Sequence, residues 1–209
     1  MKNKKYLLTW ILGFTLMIFT ANSEANFKLG KDYGSLSRPL PIKQDGVVDV
    51  IEVFWYGCGH CYNLAPIVSK WAEKKDASVN YKKMPVTWGP IHQLHAKLFY
   101  TIEALQMSDT AHSAVFSAIH KEGNTLSNDN AIIDFLEKLG AEKSEIIKYM
   151  NSFSVRQKVK RAIEISKQFK VTATPMMFVD GKYRVEAKGG TSKMLRVVDH
   201  VIEIQKPIS

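Results

Sequence analysis

The period of the apolar positions changes several times along the chain, and the changes divide it. Residues 47–55, "VVDVIEVFW", are rich in β-branched residues and almost continuously apolar. That pattern predicts a strand buried on both faces at the centre of a sheet. From about Cys58 to Lys75, Leu64, Ile67, Val68 and Trp71 recur at spacings of three and four, which predicts a helix. Pro66 falls inside it, removes the donor to the Tyr62 carbonyl and predicts a kink. "SVNYKKMPV", 78–86, reads as a second strand.

The pattern is then helical from Trp88 to Phe153. Leu94, Leu98, Ile102 and Leu105 share one face; Val115, Phe116 and Ile119 form a second stripe; Ile132, Ile133, Phe135, Leu136 and Leu139 form a third, closed by Gly140. Ser144 is placed to cap a further short helix. These stripes read as core packing, not as ligand sites. A longer helix is expected from about 154 to 170. Strands return in "PMMFV" and "KYRV", joined by Asp180-Gly181, a two-residue hairpin signal. After Gly189 and Gly190, Thr191 or Ser192 is placed to cap a last helix over 192–206. The segment before the first strand, with Pro39 and Pro41, reads as loop. The order predicts a small α/β domain, 26–87 and 154–209, with an all-helical insertion over 88–153.

The first 25 residues belong to none of this. Lys2, Lys4 and Lys5 precede an apolar run from Tyr6 to Thr20, and Ser23 and Ala25 set small residues at cleavage spacing. That order predicts a signal peptide, 1–25. The run is shorter than the roughly 20 residues of a spanning helix, which disfavours an uncleaved anchor. Cleavage after Ala25 leaves 184 residues and a net charge of +7, from +9 for the full 209. The cations are scattered, so they read as a solvated surface and not as a nucleic-acid footprint.

The cysteine count narrows the chemistry. The chain has two, Cys58 and Cys61, in "FWYGCGHCYN". A structural crosslink between residues this close removes little unfolded-chain entropy. Zinc asks for four ligands, and the remaining histidines, His92 and His95 among them, show no ligand spacing; those two read as surface or groove residues. The remaining use is a redox couple. A cysteine at the start of a helix lies near unsatisfied N–H groups and the positive end of the helix dipole. Cys58 is therefore the expected low-pKa nucleophile and Cys61, one turn deeper, the resolving thiol. His60 between them is expected to stabilise the Cys58 thiolate when protonated. Lowering a thiol pKa by three or four units stabilises the reduced pair by roughly 4–5 kcal/mol. That is on the order of 100 mV toward the oxidising side.

On these residues the chain resembles the DsbA-type thiol:disulfide oxidoreductases of the bacterial periplasm. "IEVFWYGCGHCYN" is similar to that family's active-site strand and helix start, and "TATPMMFVDGKYRV" to its second landmark loop and hairpin. The resemblance covers essentially the whole mature sequence and implies a thioredoxin-like fold carrying the helical insertion. It implies a cis Thr174–Pro175 bond facing the nucleophilic sulfur, with Thr174 backbone groups open to an extended substrate. It also implies a proton-relay role for Glu52 and a partner for it in Lys83. It implies a monomer that needs no metal or organic cofactor, acts on unfolded exported proteins with free cysteines and is reoxidised by a DsbB-like, quinone-linked membrane protein. The chain departs from the family's usual Pro-His with Gly59-His60, the dipeptide of eukaryotic disulfide isomerases, whose couple is less oxidising. Ala65 stands where some members carry an acid. Three functions stay open: disulfide donor, isomerase or reductase, and a peptide-binding chaperone with a secondary dithiol.

Overall fold

The computed structural model describes residues 26–40 and 46–206; the expected signal peptide lies outside them. Five strands form one mixed sheet. They are β1 (Gly34–Ser35), β2 (Val48–Phe54), β3 (Val79–Pro85), β4 (Met176–Val179) and β5 (Tyr183–Glu186), in the order β1-β5-β4-β2-β3. β2 is hydrogen-bonded along both edges, parallel to β3 and antiparallel to β4. Its apolar character follows from that central place. Side chains alternate across the sheet. Val48, Val50, Met177 and Val179 face α1 (Gly59–Ala72) and α7 (Thr191–Gln205), packing with Leu64, Val68, Val198 and Val201. Val53, Met176 and Phe178 face the other core, which includes Phe169.

Between β3 and β4 run α2 (Pro90–Ala104), α3 (Ser108–His120), α4 (Asp129–Lys138), α5 (Lys143–Met150) and α6 (Phe153–Gln168). The stripes read from the sequence are their inward faces: Leu98 and Ile102, Val115 and Phe116, Ile132 and Leu136 are all buried. α1 continues through Pro66 as one element.

Four local expectations change. The loop-like N-terminal segment supplies a short strand, because Gly34 and Ser35 pair antiparallel with Arg184 and Tyr183. The Asp180-Gly181 turn has positive φ at both residues and closes from Lys182 N–H to the Val179 carbonyl at 3.0 Å. The strands, however, pair Val179 with Tyr183. Lys182 is therefore an extra residue, its carbonyl taken by the Leu36 N–H at 2.8 Å. Ser144 lies inside α5, whose cap position is Glu142. α7 starts at Thr191 behind Gly190, with no side-chain cap. Asn128 and Ser152 do cap α4 and α6, accepting from Ala131 and Val155 N–H.

Candidate active site

The site forms where β2 ends and α1 begins. Cys58 is the N-cap of α1, in extended conformation, and its sulfur accepts the Cys61 N–H at 3.4 Å. The N-cap is where a side-chain acceptor satisfies the first free N–H groups of a helix. A sulfur there receives the same donors and the positive end of the dipole. The Cys58 thiol is accordingly lowered from about 9 to about 5. The largest cause is the hydrogen bond from the Cys61 thiol, opposed by partial burial and assisted by Thr174 and by the Cys61 and His60 backbone N–H groups. Cys61 is buried. Its thiol is pushed well above the ordinary range, first by its bond to Cys58 and then by burial. One sulfur is half-buried and favours the thiolate; the other stays protonated.

The Thr174–Pro175 bond is cis, and the Thr174 carbonyl oxygen lies 3.5 Å from Cys58 Sγ. The landmark loop thus meets the redox pair across 116 residues of chain. The His60 side chain is exposed. The His60 backbone N–H is among the groups that lower the Cys58 pKa.

Glu52 extends the Val48–Val50 stripe on the α1 face and is 2% exposed. Lys83 is its register partner on β3. Burial raises the Glu52 carboxyl pKa; the Lys83 charge and a hydrogen bond from the Tyr81 hydroxyl oppose this. The sequence reading missed Tyr81. Its signal was present, since Tyr81 lies two residues before Lys83 and alternation puts both on one face.

His95 is not a surface residue: it is 2% exposed. Its Nδ1 accepts the Trp55 indole N–H at 3.1 Å, and its Nε2 lies 3.1 Å from the Thr125 carbonyl. Both nitrogens are satisfied with the ring neutral, which is what permits burial. His92 lies against Trp55, with ring centroids 4.5 Å apart. Gly57 packs under the same indole, so close that a Cβ there would stand 2.4 Å from Trp55 Cζ2. The His95 bond restrains the indole from moving aside. Gly57→Ala is therefore expected to cost about 1–3 kcal/mol. Thermal unfolding checks this, and an unchanged midpoint would mean that Trp55 gives way freely.

Residues 49–200 match the family model described as a DSBA-like thioredoxin domain. The thiol:disulfide interchange protein DsbA of Pseudomonas aeruginosa is 34% identical over 97% of this chain and 97% of its own. That of Burkholderia cepacia is 37% identical over 87% of this chain and 86% of its own. The crystal structure of Pseudomonas aeruginosa DsbA superposes with a TM-score of 0.82 at 36% identity, covering 86% of this chain and 94% of that one.

Proposed function

Because this chain belongs to the family of DSBA-like thioredoxin domains, and is a thiol:disulfide oxidoreductase of thioredoxin-like fold that exchanges disulfides with protein substrates, we propose that it acts as a disulfide donor to exported proteins in the periplasm. In this reading a substrate thiolate attacks Cys58 Sγ of the Cys58–Cys61 disulfide. The S–S bond breaks, a mixed disulfide forms, and Cys61 leaves and takes up a proton. A second substrate thiolate attacks its own sulfur in the mixed disulfide, and Cys58 leaves as thiolate. Two electrons pass from the substrate dithiol to the cysteine pair, and the substrate keeps the disulfide. A low-pKa thiol leaves faster, so the asymmetry between Cys58 and Cys61 is the observation that supports this direction.

The remaining assignments follow the same reading. Thr174 and Pro175 form the edge against which an extended substrate segment pairs. Glu52 relays the Cys61 proton. Residues 26–87 and 154–209 form the thioredoxin-like unit, and 88–153 the insertion. The protein works as a monomer, reoxidised by a DsbB-like membrane oxidase linked to quinone. Among the described residues no helix is long and apolar enough to cross a membrane. Thiol trapping in cells tests the direction: a donor is found mostly oxidised, whereas a mostly reduced pair would make it an isomerase or reductase. Replacing both cysteines with alanine tests the chaperone reading, which requires the cellular phenotype to survive.

Glu52 carries its own prediction. Its folded-state pKa is raised. It therefore favours the folded state below the ordinary carboxyl pKa of about 4.3, and that contribution is lost as pH rises through the folded value. Glu52→Gln keeps an acceptor for Tyr81 and removes the charge. The variant is expected to melt higher than the parent at pH 7, with the gain disappearing below about pH 4. It is also expected to slow the step that protonates Cys61 by about 100-fold, the lower end for a positioned acid–base group. A variant that melts lower at pH 7 and exchanges at the parent rate would contradict both statements.

A further inference from the structure

We infer that three histidines of the inserted helices, His95, His112 and His120, are positioning residues that hold Trp55 and Tyr56, and through them the redox pair. The inference rests on the reading of Cys58 as the reactive sulfur. Trp55 and Tyr56 are the last residues of the strand exit before Gly57 and Cys58, and the Trp55 carbonyl accepts the Cys58 N–H at 3.0 Å. His95, on α2, fixes the Trp55 indole. An indole N–H only donates and a carbonyl only accepts. His95 therefore presents a bare Nδ1 to Trp55 and carries its proton on Nε2 toward Thr125. Two residues of α3 hold Tyr56. His112 Nδ1 lies 2.9 Å from its hydroxyl, and His120 Nε2 lies 2.7 Å from its carbonyl, to which it donates.

The same helix reaches the other side of the cysteines. The Tyr62 ring, in α1 just past Cys61, stacks on His120 at 4.8 Å with an interplanar angle of 12°. The chain on both flanks of the pair is thus tied to α3, and the N-terminal flank is tied to α2 as well. Between these ties Gly57 lies pressed under the Trp55 ring. The N–H groups of His60 and Cys61 reach Cys58 Sγ only if this turn keeps its place. Apolar rings would fill the same space, and Phe54, Phe99 and Phe116 already surround His112. What His95 adds is direction, an acceptor at one nitrogen and a donor at the other; His112 and His120 each add one directed bond, at Nδ1 and at Nε2.

The test uses the purified, reduced mature protein with His95→Leu, His95→Gln and Trp55→Phe. Glutamine can still accept from Trp55 and donate to Thr125; leucine can do neither. Trp55→Phe removes the N–H together with part of the ring that lies over Gly57. Cys58 ionisation is followed by thiolate absorbance against pH, the potential by equilibration with glutathione, and folding by circular dichroism. His95→Leu is expected to raise the Cys58 pKa by about one unit, tenfold in the ionisation equilibrium, and to make the pair less oxidising. His95→Gln is expected to restore most of both. Should His95→Leu fail to fold, Trp55→Phe carries the same expected shift. A folded His95→Leu or Trp55→Phe with the parent pKa and potential overturns the clamp, as does a folded His95→Gln no better than leucine. A parent protein whose Cys58 titrates as an ordinary thiol removes the reading of Cys58 as the reactive sulfur, and the clamp with it.

Discussion

Cys58→Ala abolishes disulfide transfer, and Cys61→Ala instead leaves the protein joined to its substrate. The difference follows from the two sulfurs. Without Cys58, the remaining thiol is still buried; its bond to Cys58, the first cause of its raised pKa, is gone, but burial, the second, still disfavours the thiolate. It offers neither a thiolate nor access, the two things exchange requires. Without Cys61, Cys58 keeps its N-cap place. It loses the largest of the groups that lower its pKa, so its titration moves up. The Cys61 and His60 backbone N–H groups remain, and the value stays below that of a free thiol. Such a sulfur still attacks a substrate disulfide, and no internal thiol remains to resolve the product. Oxidation of a reduced two-cysteine peptide checks the first, and mass spectrometry under non-reducing conditions, after mixing Cys61→Ala with a disulfide-bonded peptide, checks the second. Transfer surviving in Cys58→Ala, or Cys61→Ala accumulating no mixed disulfide, would reverse the assignment.

The reduced protein is more stable than the oxidised one at neutral pH, and the difference shrinks as pH falls toward 5. Cys58 has a depressed pKa in the folded, reduced state, about 5 against about 9. A depressed group contributes stability that is complete above the unfolded value and lost as pH falls through the folded one. The window is therefore about pH 9 down to about pH 5. At pH 7 the part in force is about two pKa units, or ~2.7 kcal/mol at face value. Cys58 is half-exposed, so solvent screening reduces this to roughly 1–2 kcal/mol. That corresponds to about 20–45 mV on the two-electron couple. It is smaller than the order of 100 mV that a full shift of three or four units implies, because only ionisation completed by pH 7 counts and solvent screening reduces that part further. Thermal unfolding of both redox forms from pH 4 to 8 checks the trend; an oxidised form more stable throughout would contradict it.

Much of this was legible in the chain. β2 announced itself by a continuous apolar run, because a central strand is covered on both faces. The cysteine spacing, with the strand before and the helix after, placed Cys58 at the helix start and Cys61 one turn deeper, as the fold has them. Thr174 and Pro175 were found through the resemblance alone; their own residues read as an ordinary approach to a strand. What stayed hidden depends on contacts distant in sequence. His95 looked like a groove residue because its partners, Trp55 and Thr125, lie 40 and 30 residues away. His60 looked like the source of thiolate stabilisation because it sits between the cysteines. Spacing does not separate a ring from a backbone N–H, and the backbone N–H also lowers the Cys58 pKa. β1 was missed because two residues carry no periodicity.

The central claim is that an ionised Cys58 makes the reduced pair the favoured state, so that the disulfide is passed on. Equilibrating the Cys58–Cys61 couple with glutathione at pH 7 measures this directly. The account predicts a potential tens of millivolts or more on the oxidising side of thioredoxin's, which is about −270 mV. A value at or below that of thioredoxin would mean that the disulfide is the favoured state, and would contradict it.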